Sequence, residues 1–138
     1  VKAYRKRNWS LDAIANEQKV KRTSYGKYQL NPFNGVWYNL KVDRDSTSTC
    51  IQGSGSYVLD LWLAYVFSLR GNSKYGLKDS AHLLANVHDE MILEIDEGDE
   101  DGAKQLVLDA LAQVNRHMKL DIEFGCDIQI GKNYSEIH

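Results

Sequence analysis

The sequence contains few of the residues that define specialised classes of protein. Its two cysteines, Cys50 and Cys126, share no metal-binding spacing, which excludes a disulfide framework or a zinc knuckle and favours a reducing cytoplasm. It has a single proline, and neither an internal repeat nor a low-complexity segment. No stretch has the roughly 20 apolar residues of a membrane span or the residue order of a secretory signal. The chain has 138 residues, which is long enough for a hydrophobic core of its own.

Charge is divided unevenly along the chain. Residues 1–44 hold ten Lys/Arg and three Asp/Glu, a net charge of +7, whereas residues 45–138 hold seven and sixteen, a net charge of −9. In the first part the bases alternate with Tyr and Trp, a mixture that suits phosphate contacts together with stacking on nucleic-acid bases. From charge alone two interpretations stay open, a nucleic-acid-binding surface and a solvated basic face.

The first half of the chain predicts a short helix, then strands and turns. Residues 9–18 suit a helix with Ser10 as its N-cap. Strands are predicted in QKVKRTSY, KYQL and VWYNLKV, with a loop at NPFNG. After the polar stretch STSTCIQGSGS, the run YVLDLWLAYVFSLRG (57–71) is apolar almost all round, which predicts a buried helix. Asp60 interrupts this run, so it is too short and too polar to span a membrane.

The second half predicts two strands, an amphipathic helix and a last strand. HLLANVH (82–88) and MILEI (91–95) suit strands, and CDIQI (126–130) suits a final short one. Between them, apolar residues in 99–118 recur at helical spacing. These residues are Ala103, Leu106, Val107, Ala110, Leu111, Val114 and Met118. Elements in this order predict an α+β fold, with helices packed on a small, mainly antiparallel sheet.

Three polar residues, His88, Asp89 and Glu90, stand between the two strands predicted in 82–95. Were this joint only a hairpin turn, Asn-Gly, Asp-Gly or Gly-X would be expected at its centre, because those residues accept a positive φ. Asp-Glu contains no glycine, and Glu is a poor left-handed residue. The sequence therefore indicates that these side chains serve chemistry. A carboxylate on rigid strands suits Mg²⁺, which takes one or two carboxylates and fills its shell with phosphates and water.

A second acidic segment, DEGDED (96–101), does not supply a matching ligand. It lacks the Asp-x-Asp-x-Asp-Gly spacing of a calcium loop, and it suits a solvated turn into the following helix. The chain therefore offers one metal-binding Asp, and a magnesium site would need its second carboxylate from elsewhere.

Two segments, VHDE (87–90) and RDSTSTCIQGSGSYVLDLW (44–62), and the tail GKNYSEIH (131–138) together resemble DNA polymerases of family A, the group of bacterial polymerase I and many phage replicative enzymes. VHDE between apolar strands looks like the third polymerase motif of that family. RDSTSTCIQGSGSYVLDLW (44–62) is similar to its Arg-x₃-Asn-x₃-Gln-Gly segment leading into a buried helix, with Ser48 where Asn is common. GKNYSEIH resembles phage family-A termini, which implies that His138 is the C-terminus. The similarity runs from about Trp37 to His138.

The resemblance implies the chemistry of the His-Asp-Glu joint. Asp89 would be a catalytic metal ligand of the polymerase palm, Glu90 would assist the metal site or the primer end, and His88 would lie against the primer strand. Two Mg²⁺ ions, roughly 3.5–4 Å apart, would promote transfer of dNMP from a dNTP to the primer 3′ end.

The resemblance also implies DNA contacts elsewhere in the chain. Arg44, Ser48 and Gln52 would touch primer–template DNA near the nascent pair, with Ser48 at the position where the family commonly has Asn. Tyr134 and His138 would lie near the active cleft, as the family's tail does. For the tail, a purely structural role stays open.

The family also uses an earlier Asp-bearing motif and a finger helix that grips the triphosphate, and neither is found in this sequence. The resemblance thus implies a polymerase portion, with residues 1–44 as a finger-to-palm connection and residues 45–138 as the palm portion. Its partners would be primer–template DNA, dNTP and one or more polymerase chains that supply the missing motifs. A natural split subunit, a splicing product and an artificial fragment all stay open.

Two other classes of protein are considered as alternatives to this interpretation. One is a non-catalytic nucleic-acid-binding module that uses the basic, aromatic N-terminal third. The other is the single-subunit RNA polymerases, which tend to lack Glu after His-Asp, so Glu90 favours DNA synthesis. The phage-type resemblance implies a phage-encoded protein in the cytoplasm of a bacterial host, without a membrane partner.

Overall fold

The structure is a computed structural model that describes residues 7–10, 13, 17–77 and 80–137. The chain divides into two compact units, Val1–Tyr57 and Val58–His138, and their boundary falls inside helix α1 (Ser46–Leu69). Helices and two small antiparallel sheets confirm the predicted α+β fold. Among the described residues, no helix combines the length and apolarity that crossing a membrane requires.

The first unit contains a three-stranded antiparallel sheet. Strands β1 (Val20–Thr23), β2 (Gly26–Leu30) and β3 (Trp37–Asn39) pair in the order β1-β2-β3, which confirms the strands predicted there. The predicted NPFNG loop is confirmed, because the Asn31 and Asn34 side chains accept hydrogen bonds from backbone N–H groups two residues ahead.

Buried amides hold this sheet against the start of α1. Gln29 and Asn31 are each 1% exposed. Gln29 Nε2 donates to the carbonyl of Ser46 at 2.9 Å, and Asn31 Nδ2 donates to that of Cys50 at 3.2 Å. Because a buried amide is costly unless it is hydrogen-bonded, these bonds fix the position of the helix along the sheet.

The second unit pairs strands β4 (His82–Val87) and β5 (Glu90–Glu94) and packs them near helix α2 (Glu100–Met118). The predicted periodicity of α2 is confirmed, since five of its apolar residues are buried and Val107 packs against the core. The buried core members are Val66, Tyr75, Leu77, Ala81, Ala103, Leu106 and Ala110. Trp62 joins α1 to α2 by donating from Nε1 to the carbonyl of Val107 at 2.9 Å.

The prediction for α1 was wrong in two respects. The polar stretch 46–56 is helical, so the helix begins eleven residues before Tyr57. Local composition did not show this, because the bonds from Gln29 and Asn31 that hold the first turns come from distant residues. The apolar run is also not enclosed by the described residues. Leu59 and Val66 are buried, whereas Phe67 is 40% exposed.

The predicted strand CDIQI (126–130) was also wrong. The segment runs without a turn or bend, but it pairs with no strand among the described residues. In the described part of the chain the segment has no strand beside it because it lines a cavity, which the hairpin residues 89–93 also line.

The predicted helix over 9–18 falls largely outside the described residues, and it stays a prediction. His138 is outside them as well.

Candidate active site

The His-Asp-Glu joint forms the tip of the β4–β5 hairpin. Val87 pairs with Glu90, so the two turn residues are His88 and Asp89. The expectation that Asp89 and Glu90 form the centre of the turn was therefore wrong, since Glu90 is the first residue of β5. The apolar strand pairing through Val87 decides the position of the turn, because it leaves two residues to reverse the chain.

A left-handed backbone conformation supports this turn. His88 has φ 56°, one of two non-glycine residues with positive φ in the described part of the chain. Histidine tolerates this region better than most residues, which explains how the turn forms without glycine. His88 and Asp89 are both exposed, and Glu90 is half-buried. The Asp89 carboxylate therefore stands at an open tip held by five paired positions of the hairpin.

The three other predicted DNA contacts follow one another at the start of α1. Arg44 lies in the short 3₁₀ helix Asp43–Asp45, and Ser48 and Gln52 lie in the first turns of α1. All three are exposed, and Ser48 and Gln52 share a helix face because they are four residues apart. Arg44 has a long contact to Asp45 of 3.6 Å, and such exposed pairs hold an arginine only weakly.

These two groups of predicted residues belong to different units. Arg44, Ser48 and Gln52 lie in the first unit, and the hairpin tip lies in the second. Within each unit the structure brings the predicted neighbours together.

Gly53 was missed as a positioning residue for Gln52. A Cβ at Gly53 would lie 3.0 Å from Tyr38 Cζ and 3.1 Å from Asn31 Nδ2, closer than ordinary contacts. The Tyr38 hydroxyl donates to the Gly53 carbonyl at 3.4 Å. The absence of a side chain at Gly53 lets α1 approach β3 at the residue that follows the exposed Gln52. The Gln-Gly pair in the polar stretch was the available signal.

The tail reaches the neighbourhood of the hairpin through Ile137. Ile137 lines the cavity that Asp89 and Glu90 also line, whereas Tyr134 is 59% exposed on the 3₁₀ helix Tyr134–Glu136. The Glu136 carboxylate accepts from the Lys132 N–H at 2.8 Å, which closes the tail into a compact turn.

The basic region of the first unit is partly neutralised. Lys27 Nζ lies 2.6 Å from Asp43 Oδ1, and Arg22 Nη2 lies 3.7 Å from Asp43 Oδ2. The hydrogen bond from Lys27 lowers the pKa of Asp43. At the tip of the β1–β2 hairpin, Tyr25 is 90% exposed beside the exposed Lys21 and Arg22. The tip keeps the combination of charge and aromatic ring that suits nucleic acid.

The donor set for a metal is partial within the described residues. No group of three or more His, Cys, Asp or Glu side chains there could hold an ion. The 96–101 segment is the predicted helix entry, with Glu100 and Asp101 in the first turn of α2 and Asp99 accepting from the Ser80 hydroxyl at 2.6 Å. The chemistry of the Asp89 carboxylate is compatible with Mg²⁺, which prefers oxygen ligands and takes one or two carboxylates with phosphates and water in the rest of its shell.

Comparison with known proteins gave one finding. The family model described as DNA polymerase family A matches residues 3–136, which include both the hairpin tip and the start of α1. The comparison with curated proteins found no match, and neither did the comparison with solved structures.

Proposed function

The chain belongs to DNA polymerase family A, and we propose that it forms the palm portion of a polymerase that adds dNMP to a primer 3′ end. The observation that carries this proposal is the exposed Asp89 on the β4–β5 turn of a chain that matches the family over nearly its whole length. A short two-residue turn between paired strands gives the carboxylate little freedom, which a reaction that depends on alignment requires.

In the proposed site, Asp89 would hold Mg²⁺ and Glu90 would support the metal site or the primer end. Bound Mg²⁺ would offset the negative charge that develops on the triphosphate during transfer. His88 precedes Asp89 on the same exposed turn, where its imidazole can donate a hydrogen bond to the primer strand. Glu90 is the first residue of β5, so it also connects the turn to that paired strand.

Arg44, Ser48 and Gln52 would contact primer–template DNA. Arg44 can donate to phosphate or base edges, Gln52 can both donate and accept, and the Ser48 hydroxyl can do the same. Their exposure on consecutive turns supports such a row of contacts. Ser48 is shorter than the Asn common in the family, so its contact would be made at closer range.

The proposed polymerase is complete only with further polypeptide. A second polymerase chain, or more than one, would supply the other catalytic Asp and the finger helix. Residues 1–44 would connect fingers to palm, and residues 45–138 would form the palm portion. The tail's similarity to phage enzymes supports a phage-encoded protein that works in the bacterial cytoplasm.

Primer extension tests the role of Asp89. In the reconstituted polymerase, Asp89→Ala should abolish nucleotide addition in Mg²⁺ while primer–template affinity changes less than about tenfold, because DNA binding draws on many phosphate contacts. Asp96→Asn is the matched control, since it removes an exposed carboxylate beyond the other end of β5. Unchanged synthesis by Asp89→Ala would refute the assignment of Asp89 as a metal ligand.

A second candidate is a nucleic-acid-binding module without catalysis. The exposed Tyr25 between basic strands favours it. On this alternative, Tyr25→Ala would weaken DNA binding and Asp89→Ala would leave every measured activity unchanged.

A further inference from the structure

The three-stranded sheet of the first unit has one face that packs on the start of α1 and one that does not. Gln29 and Tyr38 belong to the packed face, because Gln29 Nε2 donates to the Ser46 carbonyl at 2.9 Å and the Tyr38 hydroxyl donates to the Gly53 carbonyl at 3.4 Å. Side chains alternate between the two faces of a strand, so the neighbours of Gln29 and Tyr38 in β2 and β3 point away from α1. We call this second side of the sheet the open face.

The side chains of the open face form two rows across the three strands. The register places Lys19, Leu30 and Trp37 in one row and Lys21, Tyr28 and Asn39 in the next. The rows lie about 7 Å apart, since residues on one face of a strand are separated by two steps of about 3.3 Å. A Cβ at Gly26 would lie 3.9 Å from both Tyr28 Cε2 and Asn39 Nδ2, so these two side chains lie close together on this face.

The open face presents accessible aromatic rings next to polar groups. Trp37 is 45% exposed, Tyr28 is half-buried, and Lys19, Lys21 and Asn39 are exposed. A tryptophan ring carries a large apolar area, so a partner that covers the ring gains more than it would from a smaller side chain.

The cations on the two faces differ in their partners. On the packed face, Lys27 Nζ and Arg22 Nη2 lie 2.6 and 3.7 Å from the Asp43 carboxylate. On the open face, neither Lys19 nor Lys21 forms an ion pair with a described residue, and the two rows contain no acid. The uncompensated positive charge of this sheet therefore lies on the same side as Trp37.

Positive charge beside exposed rings is the combination that binds unpaired nucleic acid. Rings can stack on bases that are free of a duplex, and sheet faces that carry aromatic residues bind single strands in this way. Lysine side chains supply the contacts to phosphate. An apolar protein surface would fit this face less well, because it would cover two lysine charges without pairing them.

We propose that the open face binds single-stranded DNA, with Trp37 and Tyr28 stacking on bases and Lys19 and Lys21 contacting phosphates. A primer–template has an unpaired template strand ahead of the primer end, and in a polymerase this strand would occupy the open face. The identification of the strand as template rests on the proposed function. The preference for a single strand rests on the rings and charges of the face itself.

A pair of lysine and arginine variants tests the phosphate contact. Lys21→Gln removes a charge from the open face, and Arg22→Gln removes one from the adjacent residue, which lies on the packed face beside Asp43. Affinity is measured by fluorescence anisotropy with a labelled oligothymidylate of about 12 nucleotides, within the roughly 4–16 that a small β-domain covers. We expect the slope of log Kd against log salt to fall by about 0.7 for Lys21→Gln and to stay unchanged for Arg22→Gln. Equal slopes for the two variants would refute the contact.

Two substitutions of one residue test the stacking. Trp37→Leu keeps an apolar side chain without a ring, and Trp37→Phe keeps a ring. We expect Trp37→Leu to weaken oligothymidylate binding by about fivefold or more, and Trp37→Phe to stay within about threefold of the parent chain. Urea unfolding of both variants checks that the sheet is retained. Equal affinity of the parent chain for the single strand and for a duplex of the same length would contradict the proposal.

The length of the template overhang tests which strand is bound in the reconstituted polymerase. Primer–templates with overhangs of about 2 and about 12 nucleotides are compared, because the shorter cannot span a site of roughly 4–16 nucleotides. We expect the longer overhang to strengthen binding by about fivefold or more in the parent and to give no gain in Trp37→Leu. A gain that persists in both Trp37→Leu and Lys21→Gln would overturn the template assignment.

The outcomes separate this inference from the proposed function. An active polymerase whose Trp37→Leu and Lys21→Gln forms bind single strands like the parent would overturn the open-face site and leave the role of Asp89 standing. Single-strand binding through the open face in an assembly that adds no nucleotide would support the site and count against the polymerase role. Shielding of Trp37 from N-bromosuccinimide in the assembly without DNA, mapped by mass spectrometry, would overturn the proposal in favour of a protein occupant.

Discussion

Single residues control how closely the elements of this chain approach one another. Gly102 in α2 is such a position, because a Cβ there would collide with the backbone carbonyl of Tyr75. The 3₁₀ helix Ser73–Tyr75 can lie against α2 only because Gly102 has no side chain. His88 works differently, since its left-handed backbone sets the turn that exposes Asp89.

Replacing Gly102 by Ala should destabilise the chain. The added methyl gains about 1 kcal/mol of helix propensity, but overpacking against a backbone atom costs typically 1–3 kcal/mol and requires the loop to move. Gly55→Ala in α1 is the matched control, because nothing lies within 4 Å of its added methyl. We expect urea unfolding to show a loss of free energy for Gly102→Ala and a gain of up to about 1 kcal/mol for Gly55→Ala. Equal stability of the two variants would contradict this account.

At the scale of elements, an ionic cluster joins the loop after α1 to helix α2. The Asp109 carboxylate accepts from Lys74 Nζ at 2.7 Å, from Tyr75 OH at 3.0 Å and from Gln105 Nε2 at 2.8 Å. Lys74 Nζ also lies 4.6 Å from the centre of the Tyr75 ring. The hydrogen bond from Lys74 is the main cause that lowers the pKa of Asp109, and the bond to Asp109 raises the pKa of Lys74.

These shifts predict how the cluster responds to pH. The pKa of Asp109 is below its usual 3.8, so its contribution to stability is full above about pH 4 and is lost as the pH falls further. The raised pKa of Lys74 means that its own contribution is full below 10.5 and is lost above that value. Asp109→Asn should therefore lower the free energy of unfolding at pH 7, and the gap to the parent chain should narrow below pH 4. Asp101→Asn, an exposed control, should leave the urea midpoint almost unchanged. If the difference in free energy of unfolding between Asp109→Asn and the parent chain stayed constant from pH 7 to pH 3, the role of the cluster would be contradicted.

The elements that the sequence predicted correctly are those whose determinants are local. Helix α2 repeats its apolar residues at helical spacing, and the strands of the first unit are bounded by turn residues, so their patterns are visible in short windows. The start of α1 was missed because Gln29 and Asn31, far away in the chain, bond to its first turns. CDIQI has the composition of a strand, but a strand also needs a neighbour within pairing distance, and composition carries no information about that neighbour.

In the candidate site, too, the features set by local sequence were predicted and those set by distant residues were not. The poor turn chemistry of His-Asp-Glu and its resemblance to a polymerase motif identified the hairpin tip. The position of the turn at His88–Asp89 was not predicted, because it depends on which residues of β4 and β5 pair. The role of Gly53 beside Gln52 was hidden for the same reason, since Tyr38 meets it only after the sheet has formed.

At the scale of the whole molecule, several large apolar side chains are exposed. Large examples on the second unit are Phe67, Leu84, Ile122, Ile128 and Ile130, which are 38–81% exposed. Scattered apolar residues are normal on a surface, but Ile128 and Ile130 also line the cavity beside the β4–β5 hairpin. This exposure is consistent with the proposal that the polymerase needs polypeptide beyond these residues.

The central claim is that this chain supplies one essential part of a DNA polymerase. The most direct measurement is single-nucleotide primer extension in Mg²⁺ with this chain alone, with the remaining polymerase polypeptide alone, and with both together. The account predicts addition of a nucleotide only when both are present, and none when the chain carries Asp89→Ala. Extension by the remaining polypeptide at the same rate without this chain, or by the assembly despite Asp89→Ala, would contradict it.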